Sequence, residues 1–155
     1  MERGPGKLVR RIIKDQTQMK IESKTGRSEY PASKLYNFIA DFRNFNNFIP
    51  QDKVSDWEAD TDQCSFKMDL LGKVALSIIE KEPNKLVKIV SDPSVSQYNF
   101  NLWVQFREME PNDTRIRITI EPLINKVMLT MVKSHLKNFV DSLVDEIETF
   151  RIPDQ

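Results

Sequence analysis

Between Asn125 and Phe150 the apolar residues recur at spacings of three and four. Met128, Met131, Val132, His135, Leu136, Phe139, Leu143 and Ile147 form one series, with Lys126, Lys133, Lys137, Asp141 and Asp145 between them. That period belongs to one face of an α-helix. At 1.5 Å per residue the helix spans roughly 38 Å, well beyond the ~11–12 residues of an average helix. An apolar stripe of that length needs an equally long apolar surface to lie against. The chain upstream offers only short segments, so they must combine into one sheet that receives the helix.

Those segments are legible in order. Met19, Ile21 and Ser23 alternate with Lys20, Glu22 and Lys24, the pattern of a half-buried first strand that Gly26 ends. Pro31 suits the first position of a helix, whose inner face is Leu35, Phe38 and Ile39. Asp41 is placed to cap a second short helix carrying Phe42, Phe45, Phe48 and Ile49, and Pro50 stops it. From Val54 the period falls to two. Strands are expected over residues 54–59, 64–68, 74–78, 86–90, 100–106 and 116–120. Turns are expected at Asp60–Gln63, Gly72, Pro83–Asn84 and Pro111–Asp113. A loop from Ser91 to Gln97 carries Pro93, Pro122 closes the last strand, and Asn125 caps the long helix.

Short turns make the six later strands an antiparallel meander. One face of that sheet is apolar and needs a cover, which the long helix alone is large enough to supply. The expected fold is therefore α+β: a curved, antiparallel, seven-stranded sheet wrapped around a long C-terminal helix, with two short helices after strand 1. Residues 19–152 form a single domain on this view. Residues 1–18 break the pattern. They carry five basic and two acidic residues, a net +3, against 18 basic and 21 acidic in the remainder, a net −3. Leu8, Val9, Ile12 and Ile13 make them either a short basic amphipathic helix suited to an anionic membrane or a non-native leader before a start at Met19, in both cases poorly ordered.

The negative body argues against nucleic acid as a partner, since that requires a basic face. No run reaches the ~18 apolar residues of a membrane span. A single cysteine, Cys64, excludes an intrachain disulfide and fits a reducing, cytoplasmic setting. The oligomeric state is left open.

The segment FIADFRNFNNFIP followed by VSDWEAD, the hairpin at Gly72 and the late long helix resemble the helix-grip fold. That superfamily contains START-related lipid-transfer domains, pollen-allergen-like proteins and polyketide cyclases, and the resemblance covers nearly everything after Met19. It implies an apolar cavity between the sheet and the last helix, and with it the binding of a hydrophobic small molecule or lipid. The glycine-rich loop of the pollen-allergen branch is missing, because the corresponding turn reads DTDQ. Phosphate-loop and plant-hormone properties therefore do not carry over.

Chemistry-bearing motifs are scarce. One histidine, and no Cys-Cys or His-x-x-x-His pair, leave no expected metal site. No nucleophile elbow, Walker A or dinucleotide fingerprint occurs, so no cofactor is expected. Cys64 reads as a small buried hydrophobe. His135 on the helix stripe is either a hydrogen-bond donor or general base entering the cavity, or a partly buried histidine with a local partner. Asp56, Tyr98 and Ser77 are the other polar groups near possible walls, and Trp103 has the parity of the outer face.

The expected cavity lining is Trp57, Phe66, Met68, Leu76, Ile78, Tyr98, Phe100, Leu102, Val104, Ile118, Ile120, Met128, Val132, His135 and Phe139. This set favours a binding or carrier domain with no catalytic residue. A cyclase- or dehydratase-like enzyme, and a co-chaperone-like protein-interaction domain, stand as alternatives. Because residues 1–18 lie outside the pattern, a chain beginning at Met19 is expected to melt within a few degrees of the full chain. Loss of cooperative unfolding on that truncation would refute this division.

Overall fold

The computed structural model describes residues 19–49, 52–69 and 71–153. The expectations for residues 1–18 and for Pro50 lie outside these residues. The order is β1 (Ile21–Glu22), β2 (Gly26–Ser28), α1 (Ala32–Ile39), a 3-10 helix (Phe42–Asn47), then β3 (Val54–Ala59), β4 (Gln63–Met68) and β5 (Gly72–Glu82). β6 (Leu86–Ser91), β7 (Phe100–Glu110), β8 (Asp113–Pro122) and α2 (Lys126–Thr149) complete it. The strands form one antiparallel sheet in the order β1-β8-β7-β6-β5-β4-β3, with β2 also paired to β8. The α+β architecture follows the pattern of the sequence. Among the described residues, no helix is long and apolar enough to cross a membrane.

The first strand differs from expectation. Gly26 does not end it but begins a second piece, opposite Ile116 on β8. Between the pieces Ser23 keeps the ladder closed: its N–H donates to Ile118 O at 2.8 Å, and its Oγ accepts from Ile118 N at 2.8 Å. Gly26 is needed there for a packing reason. A Cβ at this position would lie 2.4 Å from Val144 Cγ1 on α2, so only a residue without a side chain lets the helix come this close.

Alternation fills the concave face. Ile21, Ile120, Leu102, Ile89 and Ile78 lie opposite one another across five strands, and all are buried. Val87, Val104 and Ile118 form the next row. Trp103 faces the other way, with Lys20 and Lys88 ammonium groups 4.5 and 5.3 Å from its ring centroid. The caps are as expected. Asn125 Oδ1 accepts from Met128 N at 2.8 Å and Asp41 Oδ1 from Arg43 N at 3.0 Å, satisfying N–H groups that a helix start leaves open. Pro31 is itself the residue before α1 rather than its first.

The buried seam of α2 is offset from the expected stripe. Leu129, Val140, Val144 and Ile147 are buried, whereas Met128, Met131, His135 and Phe139 are exposed. The seam runs one residue further along, about 100° round the helix. The apolar arc of α2 is wide enough to permit several orientations. Its acidic flank selects one: Asp141 Oδ1 accepts from Lys24 N at 2.7 Å, Glu148 Oε2 accepts from Arg27 N at 3.0 Å, and Asp145 pairs with Lys24 Nζ.

The Gly26 contact yields a test. Gly26→Ala should destabilise the domain by about 1–3 kcal/mol, the scale of overpacking. Gly26→Ala combined with Val144→Ala should cost less than the two single changes summed. Additive costs in urea unfolding would show that the contact is not tight.

Candidate functional site

The two ends of α2 lie in different surroundings. At its C-terminal end Phe150 meets Phe48 at 5.1 Å and Phe38 at 5.2 Å between ring centroids, and Phe38 meets Phe48 at 5.7 Å. Phe45 joins through Phe42 and Phe48 at 5.0 and 6.2 Å. The phenylalanines of α1 and the 3-10 helix thus plug this end. The N-terminal half of α2 has only Leu129 fully buried.

The helix period fixes what the exposed apolar residues face. Lys137, Asp141, Asp145 and Glu148 lie on the flank that meets the β1–β2 edge. The seam through Leu129, Val140 and Ile147 comes next round the helix, packed toward β8. Met128, Val132, His135 and Phe139 are a further step round, on the flank opposite the β1–β2 edge. β1 and β2 are at one border of the sheet, so this apolar flank lies on the side of α2 away from that border.

The expected lining residues fall into three groups. Phe66, Ile78, Leu102, Val104, Ile118 and Ile120 are buried in the core. Trp57, Met68, Leu76, Tyr98, Phe100 and Val132 are half-buried. Met128 and Phe139 are 37% and 39% exposed, and His135 is exposed as well. Trp57 stacks on Phe66 at 5.6 Å, beside a concavity of about 380 Å³ at the β3–β4 border. Val54, Leu71, Ile124, Leu136 and Leu143 are further half-buried apolar residues against the core. Leu136 and Leu143 belong to the helix period, but Leu71 and Ile124 sit in connections where periodicity gives no signal.

Two polar candidates turn away from the concave face of the sheet. Asp56 sits at a bulge in β3 with φ 55°, and its carboxylate meets Lys67 at 3.5 Å. Lys67 alternates with buried Phe66, so Asp56 points to the outer face. Ser77 likewise alternates with Leu76 and Ile78 and faces outward.

The buried polar side chains are spent on structure. Ser91 Oγ donates to Asn99 Oδ1 at 2.8 Å and accepts from Phe100 N at 2.9 Å. Ser96 Oγ accepts from Ala75 N at 3.0 Å, and Thr114 Oγ1 donates to Tyr30 O at 2.7 Å. Among the described residues, no group of three or more His, Cys, Asp or Glu is placed to hold a metal ion.

Burial pushes the Cys64 thiol up to about 12, because the core solvates a thiolate poorly. The thiol therefore stays protonated and unreactive across the ordinary pH range. Ellman's reagent at mildly alkaline pH should label it only after denaturant is added. Rapid labelling of the folded chain would show that Cys64 is accessible.

No family model matches the sequence, and no curated protein matches it. Solved structures do match. A START superfamily protein from Mycobacterium smegmatis superposes with a TM-score of 0.67 at 12% identity, over 83% of this chain and 94% of that one. Norcoclaurine synthase from Thalictrum flavum gives a TM-score of 0.68 at 10% identity, over 96% and 91%. A protein from Thermus thermophilus gives 0.58 at 12% identity, over 84% and 94%. At these identities the likeness is one of fold.

Proposed function

We propose that this chain, which has the helix-grip fold of the START-related superfamily, is a binding or carrier domain for a hydrophobic small molecule or lipid. The ligand would lie in a cleft between the concave sheet and the part of α2 from Met128 to Phe139. One observation carries this reading: Met128, Val132 and Phe139 form an apolar flank that the core does not consume, on the side of the helix away from the β1–β2 edge. Trp57, Met68, Leu76 and Phe100 are half-buried on the strands it faces. Covering such surface is worth about 25 cal/mol per Å². Thioethers on both walls suit a ligand of variable shape.

Binding is favoured over catalysis by the polar inventory. A cyclase- or dehydratase-like enzyme needs several polar groups at one point, and Asp56 is turned outward toward Lys67. His135 lies on the cleft-facing flank and serves as a hydrogen-bond donor for a polar end of the ligand.

Two substitutions test the proposal. Phe139 borders open space, so Phe139→Ala should cost less than the ~3–5 kcal/mol of a fully packed phenylalanine. It should also weaken uptake of a fluorescent fatty-acid probe. Phe38, held between Phe48 and Phe150, should show the greater loss of stability and leave uptake unchanged. If the parent protein takes up no probe, or Phe139→Ala leaves uptake unaltered, the carrier function is rejected.

A further inference from the structure

The outer face of the sheet carries an arrangement that neither the core nor the cleft explains. The register sets Arg27 opposite Arg115, and Arg115 opposite Arg107, one arginine on each of β2, β8 and β7. All three face outward, since they alternate with the buried Ile116 and Phe106. Directly opposite residues have Cα atoms about 4.5–5.5 Å apart, so the three stems start within about 11 Å. Like charges in that position destabilise a sheet.

The compensation is incomplete. Asp113 meets Arg115 Nε at 2.9 Å and Arg27 Nε at 3.3 Å, so one carboxylate serves two guanidinium groups. Arg117, one step along β8, pairs with Glu22 at 3.6 Å. Arg107 makes no ion pair among the described residues. It borders a solvent-open groove of about 1040 Å³, whose wall also holds Lys85, Asn84, Ser33, Arg115 and Arg117. Glu108 in the same wall is already engaged, its Oε1 accepting from Ala32 N at 2.8 Å.

A planar guanidinium presents two parallel N–H groups that match the oxygens of a phosphate, and the charge-assisted bonds are among the strong ones. Lys85, 3.9 Å from the Glu82 carboxylate, adds a point charge, and Asn84 and Ser33 add neutral donors. We propose that the groove lined by Arg107 and Arg115, at one end of this arginine row, binds a phosphate-bearing ligand, either a soluble phosphate ester or a phospholipid headgroup. This site is separate from the apolar cleft and stands without it.

The test uses the full chain and two probes. Inositol hexakisphosphate is titrated by calorimetry. Sedimentation is followed with phosphatidylcholine vesicles that do or do not contain phosphatidic acid. At least one probe should bind, and Arg107→Gln should weaken that binding about tenfold, the scale of one charge-assisted bond. Without ligand, Arg107→Gln should melt at the same temperature or higher, because it removes a repelling charge. Lys133→Gln on α2, with the same change in net charge, should bind as the parent does. Binding of the soluble probe identifies a free phosphate ester as the ligand class. Binding of phosphatidic acid vesicles alone identifies a headgroup. Failure of both probes, or equal weakening by Arg107→Gln and Lys133→Gln, overturns the site.

Discussion

The seating of α2 on the β1–β2 edge is the interaction on which the rest of the structure depends. A sheet border exposes unpaired backbone N–H groups. Here two of them are taken by helix carboxylates, Lys24 N by Asp141 and Arg27 N by Glu148. These bonds hold the Asp141 carboxyl below its ordinary 3.8, the Lys24 backbone bond first among the causes. Gly26 removes the one Cβ that would hold Val144 away. Lys137 Nζ donates to Glu22 O at 2.8 Å, and Tyr30 Oη accepts from Ile152 N at 2.9 Å. From Lys137 onward the helix is thus tied to one border of the sheet.

That asymmetry divides the apolar arc of α2. A helix lying over the middle of the sheet would bury its apolar arc evenly. Tied to one border, α2 packs its seam on β8 and leaves Met128 and Phe139 exposed on the far flank. The phenylalanines of α1 and the 3-10 helix close the C-terminal end around Phe150. At the other end Met128 remains accessible, as does Phe139 near the middle of the helix.

The opposite face of the sheet follows a different logic. Its side chains are free of packing demands, so charge decides what it can do. A row of three arginines, two of them sharing Asp113, is costly in the absence of a ligand. The other sheet border, β3, is protected by a bulge at Asp56 rather than by a helix, a common way to blunt an edge.

Periodicity alone determined the element order, the inward parity of Phe100, Leu102, Val104 and Phe106, the outward place of Trp103, and the Asp41 and Asn125 caps. These depend on neighbours within a few residues, which is the range over which a sequence pattern speaks. The orientation of α2 was decided only in the tertiary structure. Its arc runs from Val127 to Val144 with no narrow centre, and residues more than 100 positions away, Lys24 and Arg27, select the buried seam. The same distance hid the role of Gly26, which reads as a strand end until Val144 is placed against it. It also hid the arginine row, because Arg27, Arg107 and Arg115 become neighbours only through the register of three strands. Local backbone chemistry is written residue by residue, whereas contacts between distant segments exist only once the chain has closed on itself.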